Sequence, residues 1–112
     1  SALAAEVDGM RAAADAGDLH AQGEHDGRFH RLIVEAAQNR TLLDVWSSLR
    51  VEARTVVTVL SIDTDPHDLA ELHVPVLDAL AAGDPDAAGA AIRRHVEHFG
   101  ELLRAMPEGG EP

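Results

Sequence analysis

An aspartate and a histidine lie four residues apart in the segment 26–30. Residues at positions i and i+4 of an α-helix share one face, so this spacing places a carboxylate oxygen beside an imidazole nitrogen. Two further histidines fall near the middles of two later segments with helical patterns. Carboxylate and imidazole ligands together suit a divalent cation. We therefore predict one metal site inside a helical bundle, held by four side chains: Asp26, His30, His73 and His95.

The three histidines also have a simpler interpretation. Each falls on an apolar face, where an unpaired imidazole is costly, so each can be a separate core histidine with its own hydrogen-bond partner. If they converge, one carboxylate and three neutral imidazoles favour zinc first, with nickel, manganese or ferrous iron also compatible. Four protein ligands leave one or two positions open to water, which a small anionic ligand can displace.

Arginine is the natural second anchor for such an anion, because it binds a carboxylate through two parallel hydrogen bonds. All nine basic residues of the chain are arginines. Arg50 and Arg54 lie four residues apart and share a helix face, and Arg94 precedes one candidate metal ligand. We predict these three as effector-binding residues. An exposed surface position is the alternative for each.

The composition favours helices and one domain. The chain has 112 residues, 46% of them hydrophobic but only 3% aromatic, and alanine and leucine supply most of the apolar surface. This length suits a single core, and this usage is typical of helical proteins. The chain has no cysteine, which excludes disulfides and thiolate metal sites.

The charge limits the partners. A net charge of −11 repels phosphate backbones, so we expect this chain not to bind DNA or RNA unaided. No apolar run approaches the length of a membrane span, and no signal-peptide pattern opens the chain. We expect a cytoplasmic protein without membrane contact.

Periodicity and capping signals predict an all-α, antiparallel bundle of about five helices within residues 1–106, followed by a disordered tail at 107–112. Asp-Pro pairs begin the last two helices, as expected of an N-cap followed by proline at the first helical position. Pro75 predicts a bend or break near residues 71–75, beside a candidate ligand. The predicted helices span about residues 1–16, 18–38, 42–60, 66–82 and 85–106.

Several short motifs occur along residues 3–104. They are, in order, Asp26-x-x-Phe29-His30, Asn39, Leu42-Leu43, His73 followed by Leu77–Asp84, and the alanines of residues 87–91 followed by His95. Together they resemble the effector-binding (FCD) domain of FadR-type GntR transcription regulators. The sequence departs from that family at Leu72 and Pro75 around the third ligand, and at two glycines, Gly23 and Gly27, near the first.

This resemblance implies a function. In that family the aspartate and three histidines bind a divalent metal in an all-helical bundle, and small carboxylic acids bind beside it. The family's proteins are dimeric regulators, often repressors, with an N-terminal winged helix-turn-helix domain that binds operator DNA. We expect that domain, and the first helix of the effector domain, to belong to a longer protein of which this chain is a piece.

We therefore expect a ligand-sensing domain and no enzymatic activity. One alternative is a metal-dependent hydrolase or lyase, since a metal with an open position can activate water. Against it, no other carboxylate lies at an obvious spacing for a general base, and no nucleophile motif is present. The other alternative is a plain helical interaction domain without metal.

Overall fold

The computed structural model describes residues 1–36 and 38–104, apart from the side chains of residues 42 and 103. These residues form helices without any strand, which confirms the predicted all-α class. The tail predicted at 107–112 and the predicted helix end at 105–106 lie outside the described residues. The helices are α1 (Ala2–Ala16), α2 (Leu19–Ala36), α3 (Arg40–Ser48), α4 (Val51–Ser61), α5 (Pro66–Glu71), α6 (Val74–Ala81) and α7 (Pro85–Arg104).

The predicted helix 42–60 is divided in two, so the prediction of one continuous helix was wrong. The last turn of α3 tightens, because the Arg50 amide donates to the carbonyl of Ser47 at 3.2 Å instead of to the residue four positions back. Arg50 then adopts a left-handed backbone with φ of 54°, where a side chain with a Cβ atom is disfavoured. Arg50 thereby becomes the residue that precedes α4, and its carbonyl accepts from the Arg54 amide at 3.0 Å.

The break predicted beside Pro75 is confirmed. α5 ends at Glu71 and α6 begins at Val74, with His73 as the residue before the new helix. Proline has no amide hydrogen, and its ring clashes with the carbonyl four residues earlier, so one uninterrupted helix cannot form here. The His73 amide bonds the carbonyl of Ala70 at 3.2 Å, which closes a tighter turn.

α2 is central and runs antiparallel to α4. Gly23 of α2 faces Val56 of α4. Gly27 lies one turn after Gly23 in α2, and it faces Glu52, which lies one turn before Val56 in α4. Without Cβ atoms, these two glycines let the helix backbones approach closely. The glycines near the first candidate ligand therefore serve helix packing.

α1 packs against α2 and α5 and runs antiparallel to both. On the α5 side, Arg11 forms two hydrogen bonds with Glu71, at 2.7 and 3.0 Å, and Asp15 pairs with His67 at 3.0 Å. On the α2 side, Glu6 accepts from His25 at 2.8 Å. The hydrophobic core lies between α1, α2, α5, α6 and α7 and contains Val7, Met10, Phe29, Ala70, Val76 and Ala91.

In the part of the chain that the structure describes, no helix has both the length and the apolar character needed to cross a membrane.

Replacing Gly23 with alanine is expected to lower the free energy of unfolding by about 1–3 kcal/mol. The added Cβ would lie 2.8 Å from the Cα atom of Val56, a backbone atom that moves only if α2 and α4 separate. Urea unfolding measures the loss. Gly89→Ala is the matched control, since nothing lies within 4 Å of its Cβ position in α7. Helix propensity predicts a gain of roughly 0.5–1 kcal/mol there. Equal gains at both sites would contradict the close helix contact.

Candidate metal centre

The structure brings together the four side chains predicted as ligands. Asp26 and His30 come from successive turns of α2, His73 from the break between α5 and α6, and His95 from α7. The three histidines each offer a ring nitrogen, and these nitrogens all lie within 4.8 Å of one another. Asp26 Oδ1 lies 2.9 Å from Nε2 of His30 and 3.0 Å from Nε2 of His73.

The cluster is buried on most sides. His73 is fully buried, Asp26 is 2% exposed and His95 is 7% exposed. His30 is the most open member, with 25% of its side chain exposed. Phe29 lies edge-on to the rings of His30 and His73, with centroids 5.6 and 5.1 Å away. The core thus fixes these rings, and His30 marks the side that solvent reaches.

Backbone carbonyls near the α5–α6 break orient two of the rings. Nδ1 of His73 lies 3.0 Å from the carbonyl oxygen of Leu69, and Nδ1 of His95 lies 3.3 Å from that of Leu72. A carbonyl only accepts, so in both rings Nδ1 carries the hydrogen. In the neutral form this leaves a lone pair on each Nε2. Such second-layer hydrogen bonds are typical of histidines that bind metals.

The two Nε2 atoms differ in their partners among the described residues. Nε2 of His95 is buried and has no hydrogen-bond partner. Nε2 of His73 lies 3.0 Å from Asp26 Oδ1, so a proton or a cation lies between these two atoms. A neutral core histidine would have both nitrogens satisfied. A metal ion would give the unpartnered nitrogen of His95 its partner, so the residues fit a metal ion.

The two distances from Asp26 Oδ1 to histidine nitrogens, 2.9 and 3.0 Å, are those of hydrogen bonds. The fit to a metal therefore depends on the donor set and on the unpartnered nitrogen of His95.

The charge states also suit a cation. Burial by itself raises the pKa of Asp26, but hydrogen bonds from His30 and His73 outweigh it and hold that pKa below its ordinary value. Asp26 is therefore ionised at neutral pH. Burial, together with the nearby His73 and His30, lowers the pKa of His95 to about 4. His95 is therefore neutral, and its Nε2 lone pair is available to a metal.

A pocket with a volume of about 440 Å³ opens beside the cluster. Of the three arginines predicted to bind an effector, Arg54 lines it. Arg50 and Arg54 together line a second groove at the α3–α4 junction, as their spacing predicted, and Arg94 lines another groove beside Pro75. The structure therefore brings two of the three arginines together, and of the three only Arg54 lines the pocket beside the cluster. The described lining residues are Asp26, His30, Trp46, Val51, Arg54, Thr55, Thr58, Val59, His95, Val96, Phe99 and Gly100.

Two aromatic residues of this pocket, Phe99 and Trp46, were not among the predicted site residues. Phe99 lies four residues after His95, and this spacing was the available signal that they share a face. Their ring centroids are 4.8 Å apart. Trp46 offered no comparable signal, because the break at Arg50 separates α3 from α4 and sets its direction.

Comparisons with known proteins agree with the geometry. Residues 1–98 match the FCD domain family. Over 90 residues, the chain is 39% identical to a probable D-xylose utilization operon transcriptional repressor of Paenarthrobacter nicotinovorans. The match covers 80% of this chain but 40% of that protein, so the chain spans less than half the length of this curated relative. No solved structure matches the chain significantly. The chain belongs to the FCD domain family, and its resemblance to the effector domain of GntR-type transcription regulators is confirmed.

Proposed function

We propose that this chain is the effector-sensing domain of a transcription regulator, in which a metal ion anchors a small carboxylate. The observation that carries the proposal is the buried, unpartnered Nε2 of His95, close to ligand nitrogens of His30 and His73. A core built for packing alone would satisfy that nitrogen or replace it with carbon.

Asp26, His30, His73 and His95 would hold the ion. The ligand set suits zinc first, with nickel or manganese as alternatives. When bound, the ion offers a Lewis-acidic position for a carboxylate oxygen. The ionised Asp26 supplies negative charge, and the carbonyls of the α5–α6 break keep two imidazoles oriented. Arg54, which lines the adjoining pocket, is the second anchor for the carboxylate.

We infer the other parts of the regulator by analogy with the relative that is named as a repressor. We place operator binding in a separate DNA-binding domain, because a chain with a net charge of −11 repels DNA. We further propose a cytoplasmic homodimer. For the carboxylate to change DNA binding, it must bind one arrangement of the bundle more tightly than another.

The enzyme alternative has weaker support. Asp26 is the only carboxylate among the described residues that line the pocket, and two imidazoles already share its Oδ1. A hydrolase would need a free general base near the metal. The arrangement therefore favours binding over turnover.

We expect the purified chain to bind about one Zn²⁺, and citrate or a similar acid to raise its melting temperature only when zinc is present. At a ligand concentration of about 100 times Kd, the added stability is about 2.7 kcal/mol. Differential scanning fluorimetry with and without a chelator, together with elemental analysis, measures both effects. Asp26→Ala should abolish them, whereas Asp63→Ala, at an exposed position, should not. A shift by the acid that persists after metal removal would exclude a metal-anchored ligand.

A further inference from the structure

The pocket beside the metal centre combines one basic side chain with a mainly apolar wall. Among its described lining residues, Arg54 is the only arginine, and the chain has no lysine. Arg50 and Arg94 line other grooves. The remaining wall is mainly aliphatic and aromatic: Trp46, Val51, Val59, Val96 and Phe99.

This combination disfavours acids with several charges. One carboxylate can pair with Arg54 and the metal. A second carboxylate would lie against the apolar wall without a cationic partner, and removing an unpaired charge from water is costly.

The wall also disfavours a body with many hydroxyl groups. The pocket offers the hydroxyl groups of Thr55 and Thr58, and the Thr55 hydroxyl already donates to the carbonyl of Val51 at 2.8 Å. The indole N–H of Trp46 is buried without a hydrogen-bond partner among the described residues, so it can serve one acceptor. Each further hydroxyl group on the ligand would lose its hydrogen bonds to water and gain none from the pocket.

Resting on the proposed function, we infer that the ligand is a small monocarboxylate with an uncharged, largely apolar body. Its carboxylate pairs with Arg54 and the metal centre. Its hydrocarbon part contacts Val59, Val96 and Phe99, and any single acceptor group on it is served by Trp46.

Hexanoate and adipate provide a matched test, because both have six carbons and adipate adds a second carboxylate. Isothermal titration of the zinc-bound chain is expected to show hexanoate binding at least about tenfold more tightly than adipate or citrate. Hexanamide, which lacks the charge, and xylonate, which carries hydroxyl groups along its chain, are expected to bind at least about tenfold more weakly than hexanoate.

Two variants locate the determinants. Arg54→Gln should lower the hexanoate-to-hexanamide affinity ratio, with the metal retaining part of the preference. Arg93→Gln, at an exposed arginine of α7 outside the pocket lining, should leave this ratio unchanged. Val96 is 61% exposed, so Val96→Arg is compatible with folding and places a second cation at the wall. This variant should lower the hexanoate-to-adipate affinity ratio by about tenfold.

The outcomes separate this inference from the proposed function. If zinc binds but adipate, citrate or xylonate binds as tightly as hexanoate, the inference is overturned and the metal-anchored sensor stands. If zinc binds and none of the acids binds, both the inference and the carboxylate part of the proposed function fail. If zinc does not bind, the proposed function itself fails.

Discussion

Substituting His95 with alanine is expected to weaken zinc binding by at least about 100-fold, measured by competition with a chromophoric chelator. Nε2 of His95 is the ligand atom that the fold leaves without any other partner among the described residues. His98→Ala is the matched control, because His98 lies three residues later on the same helix with 47% of its side chain exposed. Equal affinity losses in the two variants would remove His95 from the metal site.

The same variant separates binding from packing. In the metal-free chain, the orphaned nitrogen of His95 costs about 1–3 kcal/mol, which offsets much of the packing lost with the ring. We therefore expect the melting temperatures of wild type and His95→Ala to be close in the presence of a chelator and to differ widely with zinc. A similar difference under both conditions would indicate a purely structural histidine.

Replacing Phe29 with alanine is expected to lower the free energy of unfolding of the metal-free chain by about 3–5 kcal/mol, measured by urea denaturation. Phe29 is fully buried in the core, so its removal leaves a cavity that neighbouring helices fill only in part. Val57→Ala is the control, because Val57 is 62% exposed on α4 and its truncation should change stability by less than about 0.5 kcal/mol.

Phe29 also supports the metal centre, since it lies edge-on to His30 and His73. Phe29→Leu should retain most of the stability but weaken zinc binding, because leucine leaves both imidazoles freer to rotate. A Phe29→Ala variant with nearly unchanged stability would place this residue outside the core.

Local signals predicted much of the fold. Asp65 caps α5 by accepting from the amide of His67 at 2.8 Å, as the Asp-Pro pair indicated. The helix break near Pro75 could also be predicted, because the missing amide hydrogen of a proline acts at one point of the chain. The break at Arg50 could not be predicted, because the left-handed backbone that it requires is unfavourable for arginine.

The candidate site was likewise predictable only in part. Four-residue spacing placed Asp26 beside His30 within one helix. Their meeting with His73 and His95 depends on how three parts of the chain pack. The pattern of residues also allowed three separate core histidines, and the family resemblance favoured the shared site. The effector arginines show the limit of spacing arguments. Arg50 and Arg54 share a groove, as their spacing predicted, but that groove is not the pocket beside the metal centre, which Arg54 lines and Arg50 does not.

The α5–α6 break sets a strict tolerance on chain length. Leu69 and Leu72 supply the carbonyls that hold the rings of His73 and His95, and Glu71 between them is tied to Arg11 on the outer face. Each residue of a helix advances its direction by about 100°. One inserted or deleted residue between Leu69 and His73 would therefore turn the imidazole away from Asp26 while leaving hydrophobicity and helix content almost unchanged. Homologous chains that keep this chemistry should vary in side chains here but not in length.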